Sequence, residues 1–228
     1  MMRVFTGKVR ETDLGFSTAI FKNEMFGELW LGETGLDGDE QGSPGIHGGS
    51  ERALLQYPSI HYAWWQSRFP KRREIFKPAL FGENLSDLRW HEKNVHIGDI
   101  FRWGDAIIQV SQPRSPCYKL SARTQCDGLA LMMQENARCG WLYRVLKPGT
   151  VGAGLPFVFS ERVSWVSIHQ MMVAMFGSVG VPPSANPEDW RVLSETEGLS
   201  ERWQKTLHRR METGKIESWQ ARLLGPKI

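Results

Sequence analysis

Cysteine is scarce in this chain: three in 228 residues, Cys117, Cys126 and Cys139. The number is odd and no two stand as C-x-x-C. That excludes a four-thiolate zinc or iron–sulfur centre within one chain and argues against a disulfide framework. Long apolar runs are also missing. No stretch reaches the roughly 18 residues a membrane-spanning helix needs, and the opening "MMRVFTGKVRETDLGF" lacks the apolar stretch and cleavage site of a signal peptide. A cytoplasmic location without a membrane partner is expected. Nor does either charge dominate: 28 Lys and Arg face 25 Asp and Glu, a net charge of +3. So mild a balance does not call for a nucleic-acid polymer. Neither G-x-S-x-G nor H-E-x-x-H occurs. What is present is an ordinary apolar fraction of 41%, sufficient for a globular core.

Residues 1 to about 162 read mostly as strand and loop. Short apolar segments ("VFTGKV", "NVHIGDIFRW", "AIIQVSQ", "LPFVFSERVSWV") are separated by Gly, Pro, Asn and Asp. "GDIFRWGDAIIQV" predicts a hairpin turning at Gly104-Asp105. "SIHYAWWQSRFP", between Pro58 and Pro70, and part of "GLALMMQENARCGWLYRVL" read as helices. After about Trp165 the pattern changes to three helices, "VSIHQMMVAMFG", "NPEDWRVLSETEGL" and "LSERWQKTLHRRMETGKI". Asn186 and Ser200 are the expected N-caps, with Pro187 at the first helical position. Gly177, Gly198 and Gly214 fall where helices should end. The expected division is a mainly β unit over 1–163, with inserted helices, and a small three-helix unit over 164–228.

Three stretches carry residues suited to chemistry. In "QVSQPRSPCYKL", residues 109–120, Cys117 follows a strand-like run and sits among Pro113, Arg114, Pro116 and Lys119. Prolines stiffen the backbone, and cations near a thiol favour its thiolate. The competing reading is an inert core cysteine, the reading preferred for Cys126 and Cys139. In "GIHGGSERALLQYP", Gly48 and Gly49 leave amides that an anion could approach, with His47 and Arg52 as further donors. Alone, that segment is an ordinary glycine turn. In "FGENLS", Glu83 and Asn84 offer adjacent acceptor and amide groups, or simply a turn. A Cys-His nucleophile pairing Cys117 with His47, His61, His91 or His96 is a further reading that spacing cannot establish.

Together and in order, "GDEQGSPGIHGGSERALLQYP", "FGENLS", "VHIGDIFRWG" and "QPRSPCYKL" resemble the MOSC family, named after the C-terminal domain of molybdenum cofactor sulfurase, in its YiiM-like branch. The resemblance runs over about residues 3–162 and extends to the helical tail. Ser50 departs from the expected proline after "HGG". The resemblance implies a MOSC-type β-barrel followed by a small three-helix domain, binding molybdenum cofactor (Mo-molybdopterin) with Cys117 as sulfur ligand and catalytic residue. Arg114 and Lys119 would help neutralise the anionic cofactor. His47, Gly48, Gly49, Arg52 and Tyr57 in the first motif, and Glu83, Asn84, Gln112 and Ser115 in the others, are the remaining cofactor-binding candidates. The activity it implies is reductive removal of oxygen from small N-hydroxylated compounds such as 6-hydroxylaminopurine. No flavin, haem or iron–sulfur motif is visible, so electrons are expected from a separate reductase.

A rival from another class is a molybdenum cofactor or sulfur carrier with a Cys117 persulfide. Trp64, Trp65, Tyr57 and Trp141 could wall a pocket for a flat base, although core packing is the first expectation. In the last helix, Trp203 and Leu207 should pack, while Arg202, Lys205, Arg209, Arg210 and Lys215 face solvent. Nearby glutamates dilute that basic face, which suits an acidic redox partner better than nucleic acid. Self-association as a homodimer is left open.

Overall fold

The computed structural model describes residues 2–42 and 48–225; His47 lies outside them. Eight strands pair in one curled, barrel-like sheet. They are β1 (Arg3–Thr6), β2 (Asn23–Met25), β5 (Leu54–Gln56), β6 (Leu85–Ser86), β7 (Ile100–Trp103), β8 (Ala106–Pro113), β9 (Trp141–Lys147) and β11 (Phe157–Glu161), in the order β11-β7-β8-β9-β5-β6-β1-β2. A second sheet joins β3 (Glu28–Gly32), β4 (Gly35–Leu36) and β10 (Gly149–Gly152). Only Pro148 separates β9 from β10, and a residue that cannot donate to a ladder marks the change of sheet.

The expected hairpin forms as β7–β8, with Trp103 opposite Ala106 and Gly104 at φ +54. β5 and β6 run parallel, so the chain must cross between them. Helix α1 (His61–Arg68) and a 3-10 segment, Pro70–Ile75, make that crossing. β8 is flanked by β7 and β9, and its pairing with β9 shifts register between Val110 and Gln112. A bulge there re-aims the strand's last residues, and these lead into the candidate site. Two short helices, α2 (Tyr118–Thr124) and α3 (Leu129–Glu135), follow.

The helical tail comprises α4 (Ile168–Phe176), α5 (Pro187–Ser194), α6 (Glu201–Thr213) and a short α7 (Gln220–Leu224). Asn186 caps α5 as expected, its side chain accepting from the Glu188 amide, with Pro187 at the first position. Gly177 and Gly214 end α4 and α6. Ser200 takes the N-cap position of α6 without a side-chain cap bond. The carboxylate of Glu51 reaches the Glu201 amide instead, at 3.1 Å, where a negative charge also suits the helix dipole. Met171, Met172, Met175, Phe176, Trp203 and Leu207 from the tail belong to the same buried core as Phe101, Val110 and Trp141 from the sheet.

One expectation for α6 needs correction. Arg210 does not face solvent; it is 1% exposed, bonded to both carboxylate oxygens of Glu217 and to the Met175 carbonyl. The chain reverses at Gly214, in the left-handed region at φ +63, and so brings Glu217 back beside Arg210. A cleft of about 780 Å³ on this side is lined by Arg202, Lys205 and Arg209 but also by Glu51, Glu201 and Glu217. The mixed charge keeps the field weak for a polyanion.

Candidate cofactor site

The end of β8 is held from two sides before the chain reaches Cys117. Arg114 donates its amide to the Gly140 carbonyl (3.1 Å) and its Nη2 to the Phe81 carbonyl (2.9 Å). Gly140 has φ +71, and a Cβ there would lie 2.1 Å from the Gln56 carbonyl oxygen. Only glycine fits that close approach. The Gly140 amide is fixed in turn by Glu92, at 2.8 Å, whose other oxygen pairs with His61 Nε2 at 2.6 Å. Burial pushes the Glu92 carboxyl up, but His61 and the backbone donors outweigh it and hold it below its ordinary value.

Cys117 then occupies the N-cap position of α2 in an extended conformation, its carbonyl accepting from the Leu120 amide. It is partly exposed, whereas Cys126 and Cys139 are buried. Cys139 donates to the Met133 carbonyl, and burial pushes its thiol well up. Those two cysteines are packing residues, as expected.

At the end of β8 and on β5 of the same sheet, several polar atoms are buried without a hydrogen-bond partner among the described residues: Arg114 Nη1, Gln112 Oε1 and Gln56 Nε2. Orphaned buried groups are uncommon and call for an explanation. Glu83 stands behind Arg114, fully buried and accepting from Tyr62 Oη and the amides of Ala79 and Phe81. Burial raises its carboxyl above the ordinary range, although these donors and Arg114 pull the other way. Glu83 therefore shapes the turn whose Phe81 carbonyl receives Arg114.

The structure brings Gln112, Arg114, Ser115, Cys117 and the Phe81–Asn84 segment to one end of the sheet. The Gly48–Arg52 segment is tied to β8 through Glu51, whose carbonyl accepts from Ser111 Oγ at 2.6 Å, while the Glu51 carboxylate reaches Arg144 and α6. Gly49 sits at φ +100 with open space where a side chain would be. Burial, then the nearby charge of Arg202, lowers Arg52 to about 10. Lys119 lies over the Phe16 ring at 4.8 Å. Asn84 is engaged within the protein: it accepts from the Leu55 amide and donates to the Phe5 carbonyl and Asp39. Tyr57 is likewise buried, its hydroxyl accepting from Trp65 Nε1 at 2.6 Å. Trp65 and Trp141 are core residues, and Trp64 packs against the core with Arg138 over its ring.

Two cations near the site lacked any signal in the sequence. Arg123 on α2 donates to the carbonyls of Ile20 and Ala79. Arg222 on α7 donates to the carbonyl of Pro116, the residue before Cys117.

The barrel-like sheet with its helical tail is the fold of its relatives, and the chain belongs to the MOSC family. The MOSC domain matches residues 43–158, and the YiiM-like 3-alpha helix domain matches residues 181–214. Protein YiiM of Escherichia coli (strain K12) is 44% identical over 222 residues, 97% of each chain. Its crystal structure superposes with a TM-score of 0.82 at 40% identity, covering 97% of this chain and 96% of that one. A protein named Reductase from Gibberella moniliformis is 36% identical over 165 residues, 71% of this chain but 29% of its own length.

Proposed function

We propose that the chain binds molybdenum cofactor through Cys117 and reduces small N-hydroxylated compounds, 6-hydroxylaminopurine among them, with electrons from a separate reductase. The observation that carries this reading is the partly exposed thiol beside an arginine whose Nη1 is buried and unpaired. Membership of the MOSC family and the name of the fungal relative support it.

The donor set fits such a group. Among the described residues, no cluster of three or more His, Cys, Asp or Glu is placed to hold a bare metal ion. Cys117 alone offers sulfur, which suits a metal carrying its remaining soft ligands on its own organic part. Arg114 Nη1, Gln112 Oε1 and Gln56 Nε2 would supply hydrogen bonds to that organic part. Gly48 and Gly49, with Arg52, would face its anionic end.

When bound, the cofactor supplies two-electron redox chemistry and accepts oxygen. The net reaction converts N–OH, two electrons and two protons to N–H and water. The chain's own part is positional. The Gly140–Arg114 and Phe81–Arg114 bonds fix the strand end, Pro116 directs the sulfur, and Arg114 offsets negative charge at the site.

Elemental analysis of protein from a host that makes the cofactor, beside Cys117→Ser and a cofactor-deficient host, tests the proposal. About one molybdenum per chain, lost in both controls while the fold persists, is expected by the ligand argument, with turnover of 6-hydroxylaminopurine when a reductase is supplied. Metal-free wild-type protein from the competent host would overturn it. Extra sulfur on Cys117 by intact mass would then favour the carrier reading.

A further inference from the structure

The C-terminal helix α7 reaches back across the molecule and brackets Cys117. Arg222 Nη1 donates to the Pro116 carbonyl, one residue before the cysteine, and Nη2 donates to Gln134 Oε1 at 2.6 Å. On the other side, Gly225 lies against Tyr118, one residue after the cysteine. A Cβ at Gly225 would sit 3.2 Å from the Tyr118 ring, and its φ of +87 is one that only glycine adopts without strain. The guanidinium also lies 5.1 Å from the Phe176 ring centre, and Leu223 is buried at 7% exposure. Burial lowers Arg222 from its ordinary value, and the sulfurs of Cys139 and Cys117 both lie within its electrostatic reach.

We propose that Arg222 is a positioning residue of the Cys117 site: it clamps the Pro116 carbonyl, fixes the sulfur's direction, and brings a permanent positive charge toward the anionic cofactor. The inference rests on the function proposed above and extends it. The site is completed by a residue outside both matched family segments, which end at residues 158 and 214. An arginine suits the task because its rigid fork serves the carbonyl and the amide oxygen together. Pro113 and Pro116 have no N–H of their own, so Arg222 adds to the anchoring that Arg114 supplies on the strand side.

The test uses the full chain with Arg222→Gln and Arg222→Lys, read in two ways. In protein from a cofactor-deficient host, amide hydrogen exchange over residues 114–120 should rise about tenfold in Arg222→Gln, the loss expected for one hydrogen bond from a charged donor. In protein from a competent host, molybdenum retained through gel filtration should fall in the order wild type, Arg222→Lys, Arg222→Gln. Gly225→Ala, which pushes the tail off Tyr118 while keeping the arginine, should move both readouts in the same direction and guards against misfolding of the first variant. Unchanged exchange in Arg222→Gln overturns the clamp. Faster exchange with full molybdenum retention overturns its role toward the cofactor. Metal-free wild-type protein overturns the proposed function instead, and exchange still decides the clamp.

Discussion

Arg210 is buried and Arg114 partly so, and each keeps an Nη1 that is buried and unpaired. An orphaned nitrogen therefore does not by itself mark a binding site. What separates the two arginines is charge balance. Arg210 faces a carboxylate and makes a bidentate pair with Glu217. Arg114 makes its side-chain bond to a neutral carbonyl, and the acid behind it, Glu83, is shared among a hydroxyl and two amides. A buried charge without a matched counter-ion is costly. Around Arg210 the protein has met that cost itself; around Arg114 an anionic ligand would meet it. The first arginine holds the tail together, and the second carries the charge that the proposed cofactor would balance.

The largest disturbance to this contrast should come from a residue that is neither arginine. Gly140→Ala places a Cβ against the Gln56 carbonyl in a left-handed conformation, at a cost of about 3 kcal/mol or more. Its carbonyl anchors the Arg114 amide, so molybdenum retention should fall with stability. Chemical denaturation and elemental analysis on the same sample check both. Next comes Arg210→Met, which leaves the partly exposed Glu217 unpaired and should cost about 2 kcal/mol, below the range for a fully buried pair. Retention should survive. Arg114→Met should cost about 1 kcal/mol, one hydrogen bond, yet lose the cofactor. If Arg210→Met and Arg114→Met affect stability and retention alike, the distinction between the two arginines fails.

Much of the candidate site was legible because it is nearly local. The β8 strand, its prolines and Cys117 lie within residues 106–117, and strand-then-proline patterns mark where scaffold yields to loop. The hairpin at Gly104 and the Asn186 cap are local in the same way. Burial of Arg210 is concealed by its charge, although the spacing from Trp203 and Leu207 already puts it on the packed face of α6. Its partner lies beyond the helix end, delivered by the reversal at Gly214. The cap of α6 by Glu51 spans 150 residues, and the contact of Arg222 with Pro116 spans 106. No periodicity reports such distances. Glu83 and Asn84 read as candidates for the cofactor's polar edge, but only the fold shows both buried and their polar atoms bonded to Tyr62, Leu55 and Asp39.

The smallest effect is a difference in how two glutamates answer to acid, and it tests charge balance directly. Burial pushes Glu217 up, but hydrogen bonds from Arg210 and Trp219 outweigh it and hold the carboxyl below its ordinary 4.5. A depressed carboxyl contributes stability that is present above pH 4.5 and is lost as the pH falls through its lower folded value. Arg210→Met removes the main cause, so the stability gap between wild type and this variant should narrow as the pH drops below about 4.5. Glu83 runs the other way. Burial raises it above 4.5, so its contribution is complete below pH 4.5 and declines as the pH rises through the folded value. Glu83→Gln cannot take up a proton and should lose that decline. It also loses an acceptor for the Phe81 amide, so the diagnostic is the slope of stability against pH, not its height. Denaturant midpoints for the three proteins from pH 3 to 7 would show opposite changes of slope. Slopes of one sign in both variants would mean that Glu83 is ionised and paired with Arg114, and that Arg114 already has the counter-ion its geometry denies it.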